Sequence, residues 1–324
     1  MRGVASGTGF RELIRTLIHR AMRIHHVHYV AATVVGAALI APQARFWGEA
    51  GHRITAQAAA AALPQEMPAF FRDAAPQLAY LNPEPDRWRN RKESARDAAL
   101  DGATAPDHFI DLELIPASAR AAALAARDRY AFVSILTQNR ADPSTTGFLP
   151  FAIVETTQRL RLGFRAWRVA PNDQTRRWIE ARIVNEAGIL GHYVADGSNP
   201  AHTTIHFNGW VGDNPRGYAT DTRFHSRFES AYVQSRIRLE DVAPAVQDTP
   251  QVFAELRPAV VGYVMQTHAE VERLYALDRE STYNAETTTP ANKAFAVQRL
   301  AAGASMLRDL WWTAWVTSAA DQEP

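Results

Sequence analysis

The segment of residues 174–196 most constrains the fold, because its apolar residues recur at the spacing of a long α-helix. They share one face of that helix: Trp178, Ile179, Ile183, Ala187, Leu190 and Val194. Helical patterns of the same kind recur along most of the chain, and no run of strands accompanies them. The sequence therefore predicts an all-α fold, a single compact multi-helix domain.

The other helical patterns are bounded by proline, glycine and capping residues. They cover residues 54–63, 68–75, 119–139, 222–238, 249–277 and 290–320, with a further helix beginning at Pro150. Pro258 should kink or interrupt the helix of residues 249–277. Residues 108–113 alternate in polarity and suggest a short extended piece. One long stretch, residues 45–324, is thus expected to form the helical domain.

The first 44 residues have the pattern of an export signal. Five arginines precede residue 29 against one acid, Glu12, and residues 29–41 form a largely apolar run. That run is shorter than the roughly 20 residues of a membrane span and suits a signal-peptide core. We expect a leader at residues 1–44 and an exported protein, periplasmic or secreted. The alternative is an uncleaved membrane anchor.

Composition limits the possible chemistry of the domain. The 324 residues are 47% hydrophobic, with a formal net charge of +1 and no cysteine. The small net charge predicts no affinity of the whole molecule for nucleic acid or membranes, although a local basic groove remains compatible with it. Without cysteine, a metal site has to use histidine, aspartate, glutamate or backbone groups.

Two histidine–carboxylate pairs have the spacing of metal ligands on a helix. His192 and Asp196, like His225 and Glu229, are four residues apart, which places both side chains on one helical face. Further candidate ligands lie beside carboxylates, glycine or proline: His52, Asp86, His108 and His202. A single such histidine is more often structural, but together they predict a metal centre. The set exceeds the four ligands of one tetrahedral zinc and suits two or three ions. Such a cluster suits hydrolysis of a phosphate ester.

Five ordered motifs carry a family resemblance. They are Trp-Gly-x-x-Gly-His at 47–52, Asp-x-x-Arg at 86–89, His-Phe-Ile-Asp at 108–111, His-x-x-x-Asp-x-x-x-Pro-x-His at 192–202 and His-x-x-x-Glu at 225–229. In this order they resemble the trinuclear-zinc family of fungal-type single-strand-specific nucleases and bacterial zinc-dependent phospholipases C. The resemblance covers residues 47–229.

The resemblance implies three Zn²⁺ ions and assigns their ligands. One zinc would be held by Asp86, His108, His192 and Asp196. Asp196 would bridge to a second zinc, completed by His52 and the backbone of Trp47. The third would take His202, His225 and Glu229. A hydroxide between the bridged pair would attack phosphorus. In the family the tryptophan is the first mature residue, whereas Arg45 and Phe46 precede Trp47 here.

The resemblance also implies roles for three neighbouring residues. Arg89 would be a catalytic and substrate-binding residue for the phosphate charge, the alternative being a surface partner of Asp86. Asp111 would orient or deprotonate the nucleophile, or else accept a hydrogen bond from an imidazole. Phe109 would stack on a base, or else belong to the core.

These features predict a zinc-dependent phosphodiesterase of the nuclease type. Its substrates would be single-stranded DNA or RNA, or nucleotides, giving 5′-phosphate products, with 3′-nucleotidase activity as a further possibility. One alternative is a phospholipase C acting on phosphatidylcholine-like lipids. Glu229 as the last ligand favours this alternative, because the nucleases more often have aspartate at that position. The other is a helical metal-binding protein without catalysis. Nothing in the sequence indicates an obligate protein partner.

Overall fold

A computed structural model describes residues 48–319, and helices dominate this range. The prediction of an all-α domain is confirmed, since no β-strand forms between residues 48 and 319, where an isolated bridge joins Phe207 to Gly209. Within the same range, no helix is long and apolar enough to cross a membrane. Both the leader predicted at residues 1–44 and the candidate ligand Trp47 lie outside the described residues.

The first half of the described chain contains α-helices of very different length. They are α1 (Glu49–Ala61), α2 (Ala69–Asp73), α3 (Ala75–Leu81), α4 (Glu84–Trp88), α5 (Arg91–Ser94), α6 (Ala99–Thr104), α7 (Ala117–Leu124), α8 (Arg129–Gln138), α9 (Pro143–Thr146) and α10 (Leu149–Arg168). Two 3₁₀ turns, Ala105–His108 and Leu112–Leu114, lie between α6 and α7.

The second half contains the two longest helices, α11 and α17. Its α-helices are α11 (Asp173–Ser198), α12 (Phe224–Ser226), α13 (Val233–Arg236), α14 (Leu239–Val242), α15 (Leu256–His268), α16 (Val271–Glu280) and α17 (Pro290–Thr317). The remaining helical pieces are two 3₁₀ turns, Pro200–His202 and Ala243–Ala245, and a π-helical segment, Arg227–Tyr232.

Helix α11 lies at the centre of the domain, packed against α1, α3, α10 and α17. Aromatic side chains fill the space between these helices. The Trp311 ring meets the Phe71 ring edge-on at 5.4 Å, and its Nε1–H donates to the Ala187 carbonyl at 3.2 Å. Because the C-terminal half of α11 is buried on all sides, polar side chains there must find partners inside the protein.

The helix predicted at residues 119–139 is wrong as one element. Helices α7 and α8 replace it, separated by a break at residues 125–128. Asp128 begins α8 as its N-cap, and its Oδ1 accepts from the Ala131 N–H at 2.8 Å. A carboxylate that satisfies a free N–H favours a new helix over continuation of the old one.

The helix predicted at residues 249–277 is also wrong as one element: its first part is not helical, and the rest is divided into α15 and α16. Three side chains of α17 bind the non-helical chain before α15: Ser305, Asp309 and Thr313 accept from the N–H groups of Gln247, Gln251 and Phe253 at 3.0–3.1 Å. Helix α15 begins only at Leu256, so Pro258 lies in its first turn, where a missing N–H costs little and no kink is needed.

Candidate metal centre

Helices α1 and α11 bring the first candidate ligands together. His52 lies on the buried side of α1, while His192 and Asp196 lie in the last turns of α11, and all three are fully buried. The His52 and His192 rings stack with centroids 4.1 Å apart and planes 12° from parallel. The predicted i,i+4 pair on α11 is therefore present, with His192 Nε2 3.2 Å from Asp196 Oδ2.

Asp196 lies between two groups of nitrogen ligands. Its Oδ2 is 3.1 Å from His108 Nδ1 and 3.2 Å from His192 Nε2, and its Oδ1 is 3.6 Å from His52 Nε2. Asp86 Oδ1 is 3.9 Å from both His108 Nδ1 and His192 Nε2. Each oxygen of the Asp196 carboxylate thus faces a different set of imidazoles, so this carboxylate could contact two cations at once.

A second cluster forms where the 3₁₀ turn Pro200–His202 meets the helical segment that contains Glu229. His225 Nε2 is 2.8 Å from Glu229 Oε2, and His202 Nε2 is 3.4 Å from the same oxygen. The two imidazole Nε2 atoms are 3.1 Å apart. All three residues are buried, so the second predicted i,i+4 pair also points into the protein.

Hydrogen bonds to backbone carbonyls join the two clusters. Ile110 N–H donates to the His202 carbonyl at 2.9 Å, and His202 Nδ1–H donates to the His108 carbonyl at 2.7 Å. The predicted extended piece at residues 108–113 is short, because 3₁₀ turns flank it, but Phe109 has extended backbone angles. The neighbouring Gly147 is required here, because its φ is +90° and a Cβ would lie 2.1 Å from the Phe109 carbonyl oxygen.

The residues of these clusters could hold metal ions. Three groups have ligand atoms within 4.8 Å of one another: His52, His192 and Asp196; Asp86, His108 and His192; His202, His225 and Glu229. Several of their polar atoms are buried without a hydrogen-bond partner in the described chain: His52 Nε2, Asp196 Oδ1 and Glu229 Oε1. A buried polar atom without a partner destabilises the folded protein, and a bound cation would provide the missing partner. The donor set therefore fits divalent cations.

The charge states of the ligands suit cations as well. Burial lowers the pKa of His192 to about 4 and holds the pKa values of His52, His108 and His225 well below the usual range. These imidazoles are neutral near pH 7, the form that binds metal. In the protein without bound metal, burial raises the pKa of Asp196 to about 7. A carboxylate so poorly solvated is stabilised in its charged form by a neighbouring cation.

Arg89 is a cationic side chain that interacts electrostatically with the carboxylates of the centre. Its Nε lies 3.9 Å from Asp101 Oδ1, and its side chain is 29% exposed. Burial lowers the pKa of the guanidinium, while the negative Asp86, Asp101 and Asp196 raise it. Arg89 is therefore a partly exposed cation within electrostatic range of the carboxylates of the centre.

Asp111 and Phe109 follow His108 closely in the chain but belong to none of the three candidate metal groups. Asp111 is 6% exposed, and burial, with a smaller contribution from the negative Glu113, raises the pKa of its carboxyl to about 7. Phe109 is half-buried against Gly147. A second aromatic ring, that of Phe207, is 42% exposed and lies 6.4 Å from the His225 ring. The cluster of His202, His225 and Glu229 thus has the aromatic surface of Phe207 next to it.

Two asparagines that the sequence analysis overlooked support the ligands. Asn82 accepts from His52 Nδ1–H and His192 Nδ1–H. Asn199 follows α11, accepts from the Ala201 N–H at 3.1 Å, and donates to Glu229 Oε2 at 3.3 Å. Both asparagines precede a proline in the sequence, which marks a helix end but gives no sign of contact with a distant histidine.

Comparisons with known proteins add no assignment. No family model matches the chain, and neither a curated protein nor a solved structure is significantly similar to it.

Proposed function

We propose that the chain is a zinc-dependent phosphodiesterase that hydrolyses single-stranded DNA or RNA to 5′-phosphate products. The observation that carries the proposal is Asp196, whose two oxygens face different imidazoles while a separate His/Glu group lies close by. A carboxylate that faces the ligands of two candidate metal groups, with a third group beside them, is suited to phosphate ester hydrolysis. The same site would accept a nucleotide 3′-phosphate.

Zinc is the metal we propose, with three ions. The ligands are imidazoles and carboxylates, a set that zinc accepts readily, whereas magnesium and calcium prefer oxygen alone. Zinc supplies a water of lowered pKa and stabilises negative charge that develops on phosphate oxygens. We assign the ions to the three groups that contain His52, Asp86 and Glu229, respectively.

The chain's own residues bind and orient the substrate. Arg89 is suited to a phosphate oxygen, because its guanidinium is partly exposed beside the centre. Phe109 and Phe207 offer ring faces on which bases can stack. Asp111 would accept the proton of the attacking water as the water oxygen bonds to phosphorus. The bond from phosphorus to the 3′ oxygen breaks, and that oxygen takes up a proton from solvent.

Substitution of Asp111 tests its role as a base. Asp111→Asn should lower kcat by about 10²- to 10⁴-fold. Activity of the unmodified enzyme should rise with pH through about 7, because the carboxyl has its pKa near that value and only its ionised form accepts a proton. A kcat–pH profile of both proteins checks this. An unchanged acidic limb in Asp111→Asn would remove the carboxyl from the mechanism.

A side-by-side assay tests the substrate class. The zinc-loaded protein should cleave single-stranded oligonucleotides and leave phosphatidylcholine vesicles intact. The alternative, a phospholipase C, predicts the reverse result, and the exposed ring of Phe207 could equally contact an acyl chain. Cleavage products should carry 5′-phosphates, which labelling of the free 5′ ends before and after phosphatase treatment detects.

The non-catalytic alternative predicts a different pair of results. A helical metal-binding protein would hydrolyse neither substrate, and fewer than two zinc ions per chain would argue against the bridged arrangement around Asp196. Elemental analysis of protein purified without chelators measures this ratio. Export to the periplasm or the medium is a separate prediction, tested by fractionation of producing cells and by N-terminal sequencing.

A further inference from the structure

Asn82 makes contact with two candidate ligands at once. Its Oδ1 lies 3.0 Å from His52 Nδ1, and its backbone carbonyl lies 2.9 Å from His192 Nδ1. The residue is fully buried at the end of α3, where its N–H donates to the Leu78 carbonyl at 3.0 Å. One residue therefore supports two stacked rings that come from different helices.

The fold makes space for this contact at Gly191. A Cβ on Gly191 would lie 2.3 Å from Asn82 Nδ2, which the packing does not allow. Gly188 is similar, because a Cβ added there would lie 2.3 Å from the Cβ of Leu81. These two glycines, one turn apart on α11, let the end of α3 approach the helix that carries His192. Asn82 is thus held in place by α3 on one side and by the glycines of α11 on the other.

Hydrogen bonds to Nδ1 decide where each imidazole carries its proton. A backbone carbonyl can only accept, so His192 has its proton on Nδ1 and a free electron pair on Nε2. At His52 the choice depends on the Asn82 side chain. With Oδ1 toward the ring, Nε2 of His52 is unprotonated and faces Asp196 Oδ1 at 3.6 Å and Asp86 Oδ2 at 4.0 Å.

Without the Asn82 amide, the same carboxylates would attract the proton of His52 to Nε2. The tautomer that results cannot bind a cation through Nε2, the atom that faces the centre. We propose that Asn82 is a positioning residue that keeps His52 in its metal-binding tautomer. The inference rests only on the metal-binding part of the proposed function.

Two variants of Asn82 separate this role from a general role in folding. Asn82→Ala removes the acceptor and leaves space, whereas Asn82→Leu removes it and fills the space. Both keep the backbone carbonyl that fixes His192. Asn82→Asp keeps an acceptor for His52 Nδ1–H and should restore function. Asn292→Ala is the matched control, since Asn292 is equally buried and donates to a carbonyl far along the chain, that of Ser281.

Zinc affinity is the first measurement, by competition with a chromophoric chelator. Asn82→Ala and Asn82→Leu should bind zinc about 10- to 100-fold more weakly, as is usual when a residue that orients a ligand is lost. Asn82→Asp and Asn292→Ala should bind as the unmodified protein does. Affinity within twofold of the unmodified value in Asn82→Ala or Asn82→Leu, whichever is folded, overturns the inference.

The tautomers are the second measurement, by ¹⁵N NMR of histidine-labelled, chelator-treated protein. In the unmodified chain, His52 and His192 should both carry the proton on Nδ1. In Asn82→Ala, His52 should shift toward Nε2–H while His192 stays unchanged, and an unchanged His52 overturns the inference. If only the proposed function is wrong, the protein will cleave no phosphodiester. Its zinc affinity and its histidine tautomers will still respond to the Asn82 variants as expected.

Discussion

Asp196→Asn should reduce phosphodiesterase activity by about 10³-fold or more and lower the zinc content of the protein. The substitution removes the negative charge that faces the ligands of both neighbouring groups, and it turns an amide N–H toward His52 or His108, which lie 3.6 Å and 3.1 Å from the carboxylate. Loss of several kcal/mol of stabilisation in the transition state corresponds to a factor of this size.

The measurements are steady-state kinetics on a single-stranded oligonucleotide and elemental analysis of the same samples. Asp309→Asn is the matched control, because Asp309 is also a buried carboxylate but lies on α17 beside Arg308. That variant should lose stability and keep its zinc. Normal turnover by Asp196→Asn would contradict the bridging role and, with it, the arrangement of ions that we propose.

Removal of metal should lower the melting temperature at pH 8 by about 5 °C or more. Zinc at 100 times its Kd contributes about 2.7 kcal/mol for one site, and 1 kcal/mol shifts Tm by about 2–4 °C in a domain of roughly this size. The structural reason is that Asp196 and Glu229 are buried carboxylates, whose pKa values burial raises.

The effect of zinc should shrink as the pH falls from 8 to 5. Burial raises the pKa of Asp196 to about 7 from 3.8, so the cost of its buried charge is complete above pH 7 and diminishes between pH 7 and 4 as the folded protein takes up a proton. Protons also compete with zinc for the ligands. Differential scanning calorimetry of chelator-treated protein, with zinc or magnesium added back, provides the test. An equal response to magnesium would contradict a centre built on imidazole.

The sequence predicts that the histidine–carboxylate pairs meet, because their spacing has a local cause. His192 and Asp196, like His225 and Glu229, are one helical turn apart, so a correct helix prediction suffices to bring each pair together. The long periodic elements α11 and α17 are found close to their predicted bounds, 174–196 and 290–320. In both cases the information lies within a few turns of one helix.

What the sequence does not predict depends on contacts between distant segments. The chain before α15 is not helical because Asp309 and its neighbours on α17 satisfy its N–H groups, and no local pattern shows this. Asn82 has the same character, since its partners lie 30 and 110 residues away. Helix α1 begins at Glu49, earlier than the apolar pattern from residue 54 indicates, so His52 lies inside a helix and not before it.

The π-helical segment Arg227–Tyr232 contains Glu229 and changes how this chain should be aligned with others. A π turn accommodates one residue more than an α turn, which is equivalent to a single-residue insertion within an otherwise continuous helix. A relative with a regular helix here would match His225 without a gap, but would match Val233 only after a one-residue gap. An alignment that forbids gaps inside helices would therefore pair the wrong residues from this segment onward and would hide the homology of the helices that follow.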